Sequence, residues 1–584
     1  MNQKLWLIAV LLSQFFLTCK KNSLKNNPVV TGGSYRVLIH TDKASYQPGE
    51  AITLTIDKII PGAVKVRYRH LNETVSETNL SGTSWKWTPA MTDYAGYLVD
   101  IYEQVAGIEK VYGSIAIDVS SDWSRFPRYG FLSKFGQITD DNMQSIIDNL
   151  ARHHINGIQF QDWHYKHHMP LAGTVASPLN TWKDIANRDN YLSTVKSYIG
   201  KAKAANMKTM FYNLGFGALN DAAADGVNEQ WYAFKNNGHG NTDVHTLPKP
   251  PFNSDIFLLD PSNTSWQQYI SARNNEVYGV FDFDGFHVDQ LGDRGNLYRY
   301  DGSTVNLAAA FKPFVEAMKT GAPNKRLVMN AVNQYGQENG IALAPIDFLY
   351  TEVWSGNEGY KDLARIIIDN DNYSSHTKKT VLAAYMNYNI ANNPGYFNTP
   401  GVLLTDAVIF AFGGSHLELG EHLLGKEYFP NNNLQMKDDL KTVLINYYDF
   451  LVAYQNLLRD GGNFNSPGLT CSNAVMSLTN WPPVSGKCAI VGKEFINKQV
   501  LHLINLSNAT NFDWRDAEGN QPVPNTLQDA TLEFITNKTV SKVWVASPDI
   551  QHGVATSIPF TQNGNRVTWK LPLLKYWDMI VVEY

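Results

Sequence analysis

The sequence of 584 residues has few cysteines, no basic cluster and, beyond its first residues, no long apolar run. It therefore has no second segment long enough to span a bilayer. A formal net charge of −5 without clustered Lys or Arg lacks the positive surface that follows phosphates, so no nucleic-acid partner is predicted. The length exceeds what one hydrophobic core supports and predicts two to four domains.

Cysteine is limited to Cys19, Cys471 and Cys488. An oxidising compartment would permit a disulfide between Cys471 and Cys488, and two buried thiols explain the pair equally well. Neither cysteine has the spacing of a metal ligand. The sequence leaves the choice between disulfide and thiols open.

The first residues are typical of an export signal. Lys4 gives a positive start, and the apolar core from Leu5 to Leu17 is too short for a comfortable membrane span. Cys19 then stands where a bacterial lipoprotein signal is lipidated, although Thr18 is larger than the Gly or Ala preferred before it. We expect a signal peptide over 1–19 and a secreted or periplasmic, lipid-anchored monomer that meets the membrane only through Cys19, with simple secretion as the alternative.

The rest of the chain changes pattern twice. Residues 20–34 are polar and Gly-rich and are predicted to be a linker. Short alternating runs over 35–119 predict an immunoglobulin-like β-sandwich. Strands and helices alternate over 120–462, which predicts a (β/α)8 barrel, and strands dominate again over 463–584, which predicts an antiparallel β-sandwich.

Eight apolar runs are the predicted barrel strands, beginning at residues 128, 157, 208, 285, 326, 348, 381 and 407. Helical patterns separate them, such as "TDDNMQSIIDNLARHH" with its N-cap threonine and "NLAAAFKPFVEAMKT". A doubly wound open sheet is the alternative. It would be favoured by a Gly-rich nucleotide loop after the first strand, and the sequence has none there.

In such a barrel the functional residues follow the strands. This position selects Asp162, Asn213, Asp289, Asn330, Asn333, Glu352, Asn387, Asn389, His416 and Glu418. The set lacks a Ser/His/Asp arrangement, and Gly-x-Ser-x-Gly is absent, which does not favour a serine nucleophile. It also lacks a compact His/Asp trio, so no metal is predicted, and no cofactor is predicted either. Carboxylates, amides and aromatic rings suit a polyhydroxylated substrate.

Two of these acids could split a glycosidic bond with retention, which needs one ionised and one protonated carboxyl group. Asp289 ends an apolar strand and fits the nucleophile, with Arg294 near enough in sequence to help keep it ionised. Glu352 lies between Tyr350 and Trp354, whose apolar rings could raise its pKa for the role of acid. The structural alternatives are a buried Asp289–Arg294 ion pair and a strand-end hydrogen bond from Glu352.

The other charged residues of this region are assigned structural roles. Asp282 and Asp284 precede the strand and are expected to cap or turn, and Asp293 is expected to pair with a basic side chain. Glu418 and Glu421 rival Glu352, but we expect them to bind hydroxyls or hold the last loop.

The histidines of "QDWHYKHH" could bind a metal. Hydrogen bonding to substrate around Asp162 and Trp163 is the favoured interpretation.

Four segments in this order, "DWSRFPRYGFLSKF", "GIQFQDWHYKHH", "FDGFHVDQLGDRG" and "YTEVW", resemble glycoside hydrolase family 66, which contains endo-dextranases and cycloisomaltooligosaccharide glucanotransferases. The resemblance runs from about residue 35 to the C-terminus. It implies the three-domain layout given above and a retaining mechanism on α-1,6-linked glucan. By motif position the nucleophile falls on Asp289 and the acid/base on Glu352.

The resemblance also implies that Asp162, Trp163, His167 and His168 line the substrate subsites. The full set of predicted substrate contacts is Asp162, Trp163, His167, His168, Asn213, Gln290, Arg294, Asn330, Trp354, Asn387, His416 and Glu418. The cyclising enzymes carry an inserted carbohydrate-binding module that has no counterpart of that size here, which favours an endo-dextranase acting on dextran and isomaltooligosaccharides. A transglycosylase and a glucan-binding protein without catalysis are the alternatives.

Overall fold

The computed structural model describes residues 36–62 and 64–584. The predicted signal peptide, Cys19 and the predicted linker lie outside the described residues. Within them, no helix combines the length and hydropathy that a bilayer crossing requires.

The first part of the chain forms two antiparallel sheets. One has three strands, Ile39–Thr41, Ile52–Ile56 and Ser84–Trp87. The other has four, in the order Glu73–Asn79, Lys65–His70, Ala95–Val105 and Ile108–Val119. Alternating side chains such as Ile52, Leu54 and Ile56 point between the sheets and form a core of their own.

The middle of the chain contains eight parallel strands, which we number β1 to β8: Tyr129–Leu132, Gly157–Phe160, Lys208–Leu214, Gly285–Asp289, Arg326–Met329, Leu349–Glu352, Thr380–Ala383 and Ser415–His416. The first five form one sheet and the last three another. A bridge between Asn330 and Tyr350 joins β5 to β6. The Phe131 N–H donates to the Leu419 carbonyl at 3.0 Å, so the two sheets close into a ring.

Eight helices, α1 to α8, lie among these strands and after them: Asp140–Arg152, Leu192–Ala204, Thr264–Val280, Leu307–Gly321, Tyr360–Tyr373, Thr399–Ala411, Asp438–Ala453 and Gln455–Leu458. The two helical patterns singled out in the sequence are confirmed as α1 and α4. Thr139 caps α1 by accepting from the Asn142 N–H. No α-helix joins β5 to β6, where only the 3-10 turns Val332–Gln334 and Ile341–Leu343 occur.

The predicted strand at residue 407 is wrong. Residues 399–411 form α6, and every one of them is buried. A helix buried on all sides is apolar at every position and shows no helical period, so it resembles a buried strand in sequence. The eighth strand lies just beyond it, after the turn at Gly413 and Gly414.

The last part of the chain again forms two sheets. The larger contains Asn463–Asn465, Leu478–Asn480, Cys488–Phe495, Lys498–Ile504, Trp577–Glu583, Lys542–Ala546 and Thr556–Ser557. The smaller contains Leu469–Cys471, Leu527–Ile535, Arg566–Leu574 and Phe560–Asn563. Cys471 and Cys488 are free thiols, so the disulfide alternative is not formed.

Alternation along the parallel strands divides their side chains into two sets. One set points into the ring and forms a separate cluster that includes Tyr129, Met210, Val328, Tyr350, Ala383 and Leu417. The other set packs outward against the helices. The inward set continues to the carboxyl ends of the strands, where the site lies.

Candidate active site

Two carboxylates and one amide meet at the carboxyl edge of three adjacent strands. Asp289 is the last residue of β4, Asn330 follows β5, and Glu352 is the last residue of β6. The Asn330 Nδ2 donates to Asp289 Oδ1 at 2.9 Å and to Glu352 Oε2 at 3.0 Å. Because alternate side chains of neighbouring strands point into the ring, the two predicted catalytic acids come together.

The shared amide also sets how far apart the two acids can be. Both oxygens lie within 3.0 Å of one nitrogen, so they are separated by at most about 6 Å. Retaining glycosidases hold their two carboxyl groups about 5–5.5 Å apart, whereas inverting enzymes need about 6.5–9.5 Å to admit a water between them. The arrangement matches the retaining geometry.

Further hydrogen bonds orient each carboxylate separately. The Tyr212 hydroxyl, from β3, donates to Asp289 Oδ2, and the Gln290 N–H also donates to Asp289. The Tyr385 hydroxyl, just after β7, donates to Glu352 Oε1 at 2.6 Å, and the Trp354 side chain donates to Glu352 as well. Neither carboxylate has freedom to rotate away from the cleft.

The environment separates the protonation states of the two acids. Burial and then the charge of Asp289 raise the pKa of Glu352 to about 7. Burial also raises the pKa of Asp289, but donors from Tyr212, Asn330 and the Gln290 backbone oppose that rise by stabilising its charged form. Near neutral pH, Glu352 can therefore carry a proton while Asp289 is ionised.

A neutral histidine forms the floor beneath the pair. His287 lies one inward position before Asp289, stacked on Tyr129 at 5.7 Å and edge-on to Tyr350 at 4.7 Å. Burial lowers the pKa of His287 to about 3, so it adds no charge below the carboxylates. The floor therefore adds only apolar contact and polarisable rings.

Asp162 also faces this site. It follows β2 in a left-handed backbone conformation with φ 49°, and it accepts from Gln161 Nε2 at 3.3 Å. Burial raises the pKa of Asp162 to about 7, with smaller contributions of the same sign from the charges of Asp184 and Asp289, while Arg188 opposes the rise. The structure thus places a third carboxyl group within electrostatic reach of Asp289.

Two residues predicted at the site act elsewhere. Trp163 is fully buried in an aromatic cluster with Phe281 and Phe283, so neither face of its ring can stack on a sugar. Arg294 binds Asp243 at 2.6 Å rather than Asp289. The expected ion pair does not form, and the donors to Asp289 are neutral groups.

Of the three histidines after β2, the two predicted to contact substrate fasten loops. His167 Nδ1 lies 2.8 Å from Asn213 Oδ1, and both residues are buried. His168 Nε2 lies 2.9 Å from Asp225 Oδ2, a carboxylate that also binds the Lys166 ammonium. His167 leaves its Nε2 without a protein partner, so it keeps a group that can still hydrogen-bond.

Four further predicted contacts lie below the surface of the cleft. His416 and Glu418 are each about 1% exposed and form a cluster with Asp406 and Tyr448. Gln290 is also buried and accepts from the Gly292 N–H. The structure therefore places these residues within the packing of the loops rather than at the open cleft.

The fourth of these predicted contacts is Asn387, which is also buried. Its side-chain amide donates to the Asp516 carbonyl at 2.7 Å.

Acids assigned structural roles are found in such roles. Asp282 pairs with Lys203, and Asp284 accepts from the Thr209 N–H at 2.9 Å, both at the start of β4. Glu421 accepts from the Ser133 N–H at 2.7 Å. Asp293 caps a turn at the Gly295 N–H, so its expected basic partner is replaced by backbone.

Two tyrosines at the site escaped the sequence argument. Tyr212 directly precedes Asn213, and Tyr385 stands two residues before Asn387. Both asparagines were selected by their place after a strand. Selecting residues by strand end alone ignores which face they occupy. The alternation that places Asp289 inward also places Tyr212 inward and Asn213 outward.

This site belongs to a glycoside-active enzyme. The chain is a member of glycosyl hydrolase family 66, whose family model matches residues 41–581, which confirms the resemblance seen in the four motifs. The cycloisomaltooligosaccharide glucanotransferase of Niallia circulans is 27% identical over 95% of this chain and 72% of its own length. The dextranase of Streptococcus salivarius is 25% identical over 89% of this chain and 72% of its own length.

A solved structure has the same fold over nearly the whole chain. The crystal structure of a Paenibacillus cycloisomaltooligosaccharide glucanotransferase complexed with cycloisomaltoheptaose superposes with a TM-score of 0.86 at 26% identity. The match covers 94% of this chain and 99% of the other.

Proposed function

We propose that this chain is a retaining endo-dextranase that cleaves α-1,6-glucosidic linkages, with a (β/α)8 catalytic barrel between two β-sandwiches. The observation that carries the proposal is the bridge from the Asn330 amide to both Asp289 and Glu352. It holds an ionised and a protonated carboxyl group at retaining distance. The relatives named dextranase and cycloisomaltooligosaccharide glucanotransferase support a glucan substrate.

The reaction follows from the two protonation states. Asp289 attacks the anomeric carbon and forms a glycosyl ester, while Glu352 gives its proton to the departing glucosidic oxygen. The ionised Glu352 then takes a proton from water as that water attacks the anomeric carbon and releases Asp289. Two inversions leave the product with the configuration of the substrate.

The test is dextran cleavage by wild type, Asp289→Asn and Glu352→Gln, followed by reducing ends and by the anomer first released. We expect the α-anomer from wild type and a loss of at least about 10³-fold in each variant, because each removes a covalent or proton-transfer step. Asp293→Asn, at an exposed turn nearby, is the matched control and should retain activity. Full activity in either catalytic variant would contradict the proposal.

Transglycosylation is the second candidate, favoured by the glucanotransferase names of the 27% identical relative and of the superposed structure. Alignment with that relative spans 722 positions, more than the 584 residues of this chain, so the relative contains residues that have no counterpart here. Chromatography of dextran products separates the two candidates. Linear isomaltooligosaccharides would support hydrolysis, and cyclic products would support transfer.

A further inference from the structure

A loop from the last part of the chain packs against the mouth of the strand ring. Residues 511–521, which we call the docking loop, are anchored by Trp514, which is 1% exposed. The Trp514 Nε1 donates to the Asn357 carbonyl at 2.6 Å, and the Thr405 hydroxyl donates to the Trp514 carbonyl at 2.8 Å. The docking loop is therefore fixed to the segment after β6 and to α6.

The backbone of the docking loop is also tied to the segment after β7. The Asn387 N–H donates to the Arg515 carbonyl at 2.8 Å, and the Asn389 N–H donates to the Ala517 carbonyl at 3.1 Å. Asn389 also bonds the Glu518 carboxylate at the exposed edge. These contacts bring Arg515 to a defined place between the segments that follow β6 and β7.

Arg515 lies beside the aromatic side chains next to Glu352. Its Nη2 donates to the Val353 carbonyl at 3.0 Å, one residue beyond Glu352. Its guanidinium carbon lies 5.4 Å from the Trp354 ring centre and 5.0 Å from the Tyr388 ring centre. The two rings meet edge-to-face at 5.9 Å, and we call Trp354, Tyr388 and Arg515 together the acceptor wall.

The acceptor wall connects directly to the acid/base. Trp354 donates to Glu352, and its ring lies 5.4 Å from Tyr385, which also donates to Glu352. On the other side, Tyr388 donates to Glu427 at 2.9 Å, and the Lys426 ammonium lies 3.5 Å from the Tyr388 ring centre. Trp354 and Tyr388 both remain partly exposed.

In a retaining reaction, the acid/base stands beside the oxygen of the leaving chain. The space next to Glu352 therefore holds the leaving glucan in the first step. In the second step the same space holds the group that attacks the glycosyl ester, either water or a sugar hydroxyl. Partly exposed aromatic rings at this place can stack on a sugar and favour it over water.

We propose that Arg515, supplied by the docking loop, is a positioning residue that holds Trp354 and Tyr388 as a sugar platform and thereby sets the ratio of glycosyl transfer to hydrolysis. The proposal rests on the retaining mechanism proposed above. Arginine suits the task because its planar group can stack on rings while one N–H bonds a carbonyl, which a lysine ammonium cannot do with the same geometry.

The experiment compares wild type with Arg515→Met on isomaltooligosaccharides of increasing concentration. Transfer products and hydrolytic reducing ends are counted in the same reaction. We expect the transfer-to-hydrolysis ratio to fall at least three-fold, because a sugar acceptor loses its platform in the second step whereas water needs none. Arg515→Lys should recover less than half of the lost ratio.

Glu518→Ala is the matched control, since it removes a contact of the same loop at its exposed edge and should leave the ratio unchanged. If Arg515→Met unfolds, Tyr388→Ala tests the same wall from the exposed side and should lower the ratio similarly. The proposal would be overturned by an unchanged ratio, by an equal loss of transfer and hydrolysis, or by a wild type that cleaves dextran without any transfer. Absence of dextran cleavage by wild type would instead contradict the proposed function.

Discussion

Asp289 and Glu352 are chemically similar acids whose roles differ because their neighbours differ. Both are removed from bulk water, which disfavours the charged form of each. Asp289 receives donors from Tyr212, Asn330 and the Gln290 N–H, whereas Glu352 also experiences the negative charge of Asp289. Since two charges so close cannot both be ionised without cost, one proton stays with the pair and resides on Glu352.

Tyr385→Phe should move the alkaline limb of the kcat/KM profile to higher pH. The Tyr385 hydroxyl stabilises the charged form of Glu352, and its loss raises the pKa of Glu352 above about 7. Because the acid must be protonated, activity then persists to higher pH. The shift should be about one pH unit, since a hydrogen bond to a charged group contributes about 1.5 kcal/mol and one unit corresponds to about 1.4 kcal/mol.

Initial rates on dextran between pH 4 and 10 measure this shift. The control is Tyr278→Phe in α3. Burial alone raises the pKa of Tyr278, so this change should leave the pH profile in place. An alkaline limb that moves to lower pH in Tyr385→Phe would contradict the assignment of Glu352 as the acid.

Tyr212→Phe should act on the opposite limb. The hydroxyl stabilises the charged form of Asp289, so its loss raises the pKa of Asp289 and moves the acidic limb to higher pH. We also expect kcat on dextran to fall about ten-fold or more, because a donor to a charged group contributes about 1.5–3 kcal/mol. An acidic limb that stays where it is in wild type would show that Tyr212 does not tune the nucleophile.

At the scale of secondary structure, the start of β4 allows no side chain. A Cβ built at Gly285 would lie 2.2 Å from the Arg326 carbonyl oxygen of β5. Gly285→Ala must therefore separate two neighbouring strands, and we expect a loss of about 1–3 kcal/mol in unfolding free energy. Because β4 ends at Asp289, kcat should fall about ten-fold or more.

Gly200→Ala is the contrasting change. Gly200 is exposed within α2 and has nothing within 4 Å of a built Cβ, so alanine should stabilise by up to about 1 kcal/mol with full activity. Urea unfolding and dextran assays of both variants check the pair. Equal stability of Gly285→Ala and wild type would show that β4 and β5 tolerate separation.

Seven of the eight predicted strands correspond to β1 to β7, because each combines an apolar run with flanking turn residues. The eighth failed because α6 is buried on every side, and only tertiary contacts distinguish such a helix from a strand. The absence of a helix between β5 and β6 could not be foreseen either. The segment near Val332 and Ile341 contains apolar residues, as a helix would, but they pack in short 3-10 turns.

The meeting of Asp289 and Glu352 was predictable because strand ends in such a ring point to one edge. The partners of the pair were less predictable, since they depend on distances that no local pattern encodes. Arg294 is five residues from Asp289, yet its partner is Asp243 from a distant loop. Arg515 is 163 residues beyond Glu352 in sequence and reaches Val353 only because the docking loop folds back over the mouth.

At the scale of the whole molecule, one buried carboxylate joins three parts of the chain. Asp449 on α7 accepts from the Ala116 N–H of the first sandwich at 2.9 Å. It also binds the Arg152 guanidinium at 2.9 Å and His154 Nε2 at 2.8 Å, both at the end of α1. The first sandwich is thereby fixed against the helices that surround the strand ring.

Asp449→Asn should destabilise the assembly and change how stability depends on pH. Burial alone would raise the pKa of Asp449, but Arg152 and His154 hold it well below its usual range. A carboxyl group whose pKa is lower in the folded than in the unfolded protein stabilises the folded state at pH values above its unfolded pKa of about 3.9. This stabilisation is lost progressively as the pH falls from there toward the folded pKa. We therefore expect a loss of about 3–5 kcal/mol between pH 5 and 8, mostly because Arg152 is left unpaired, and a smaller difference below about pH 4.

Thermal and urea unfolding across this pH range measure the effect. Asp438→Asn, at the exposed first turn of the same helix, is the control and should stay within about 0.5 kcal/mol of wild type, because its pairing with Lys441 is fully solvated. If Asp449→Asn matched that control, other polar contacts would suffice to hold the first sandwich against the ring, such as the buried Asp118–Arg128 ion pair and the Gln455 side chain that donates to Asp118. The proposed catalytic pair would then not depend on the Asp449 ion pair, and α7 would still contact the first sandwich through Asn446, which accepts from the Arg36 guanidinium at 3.0 Å.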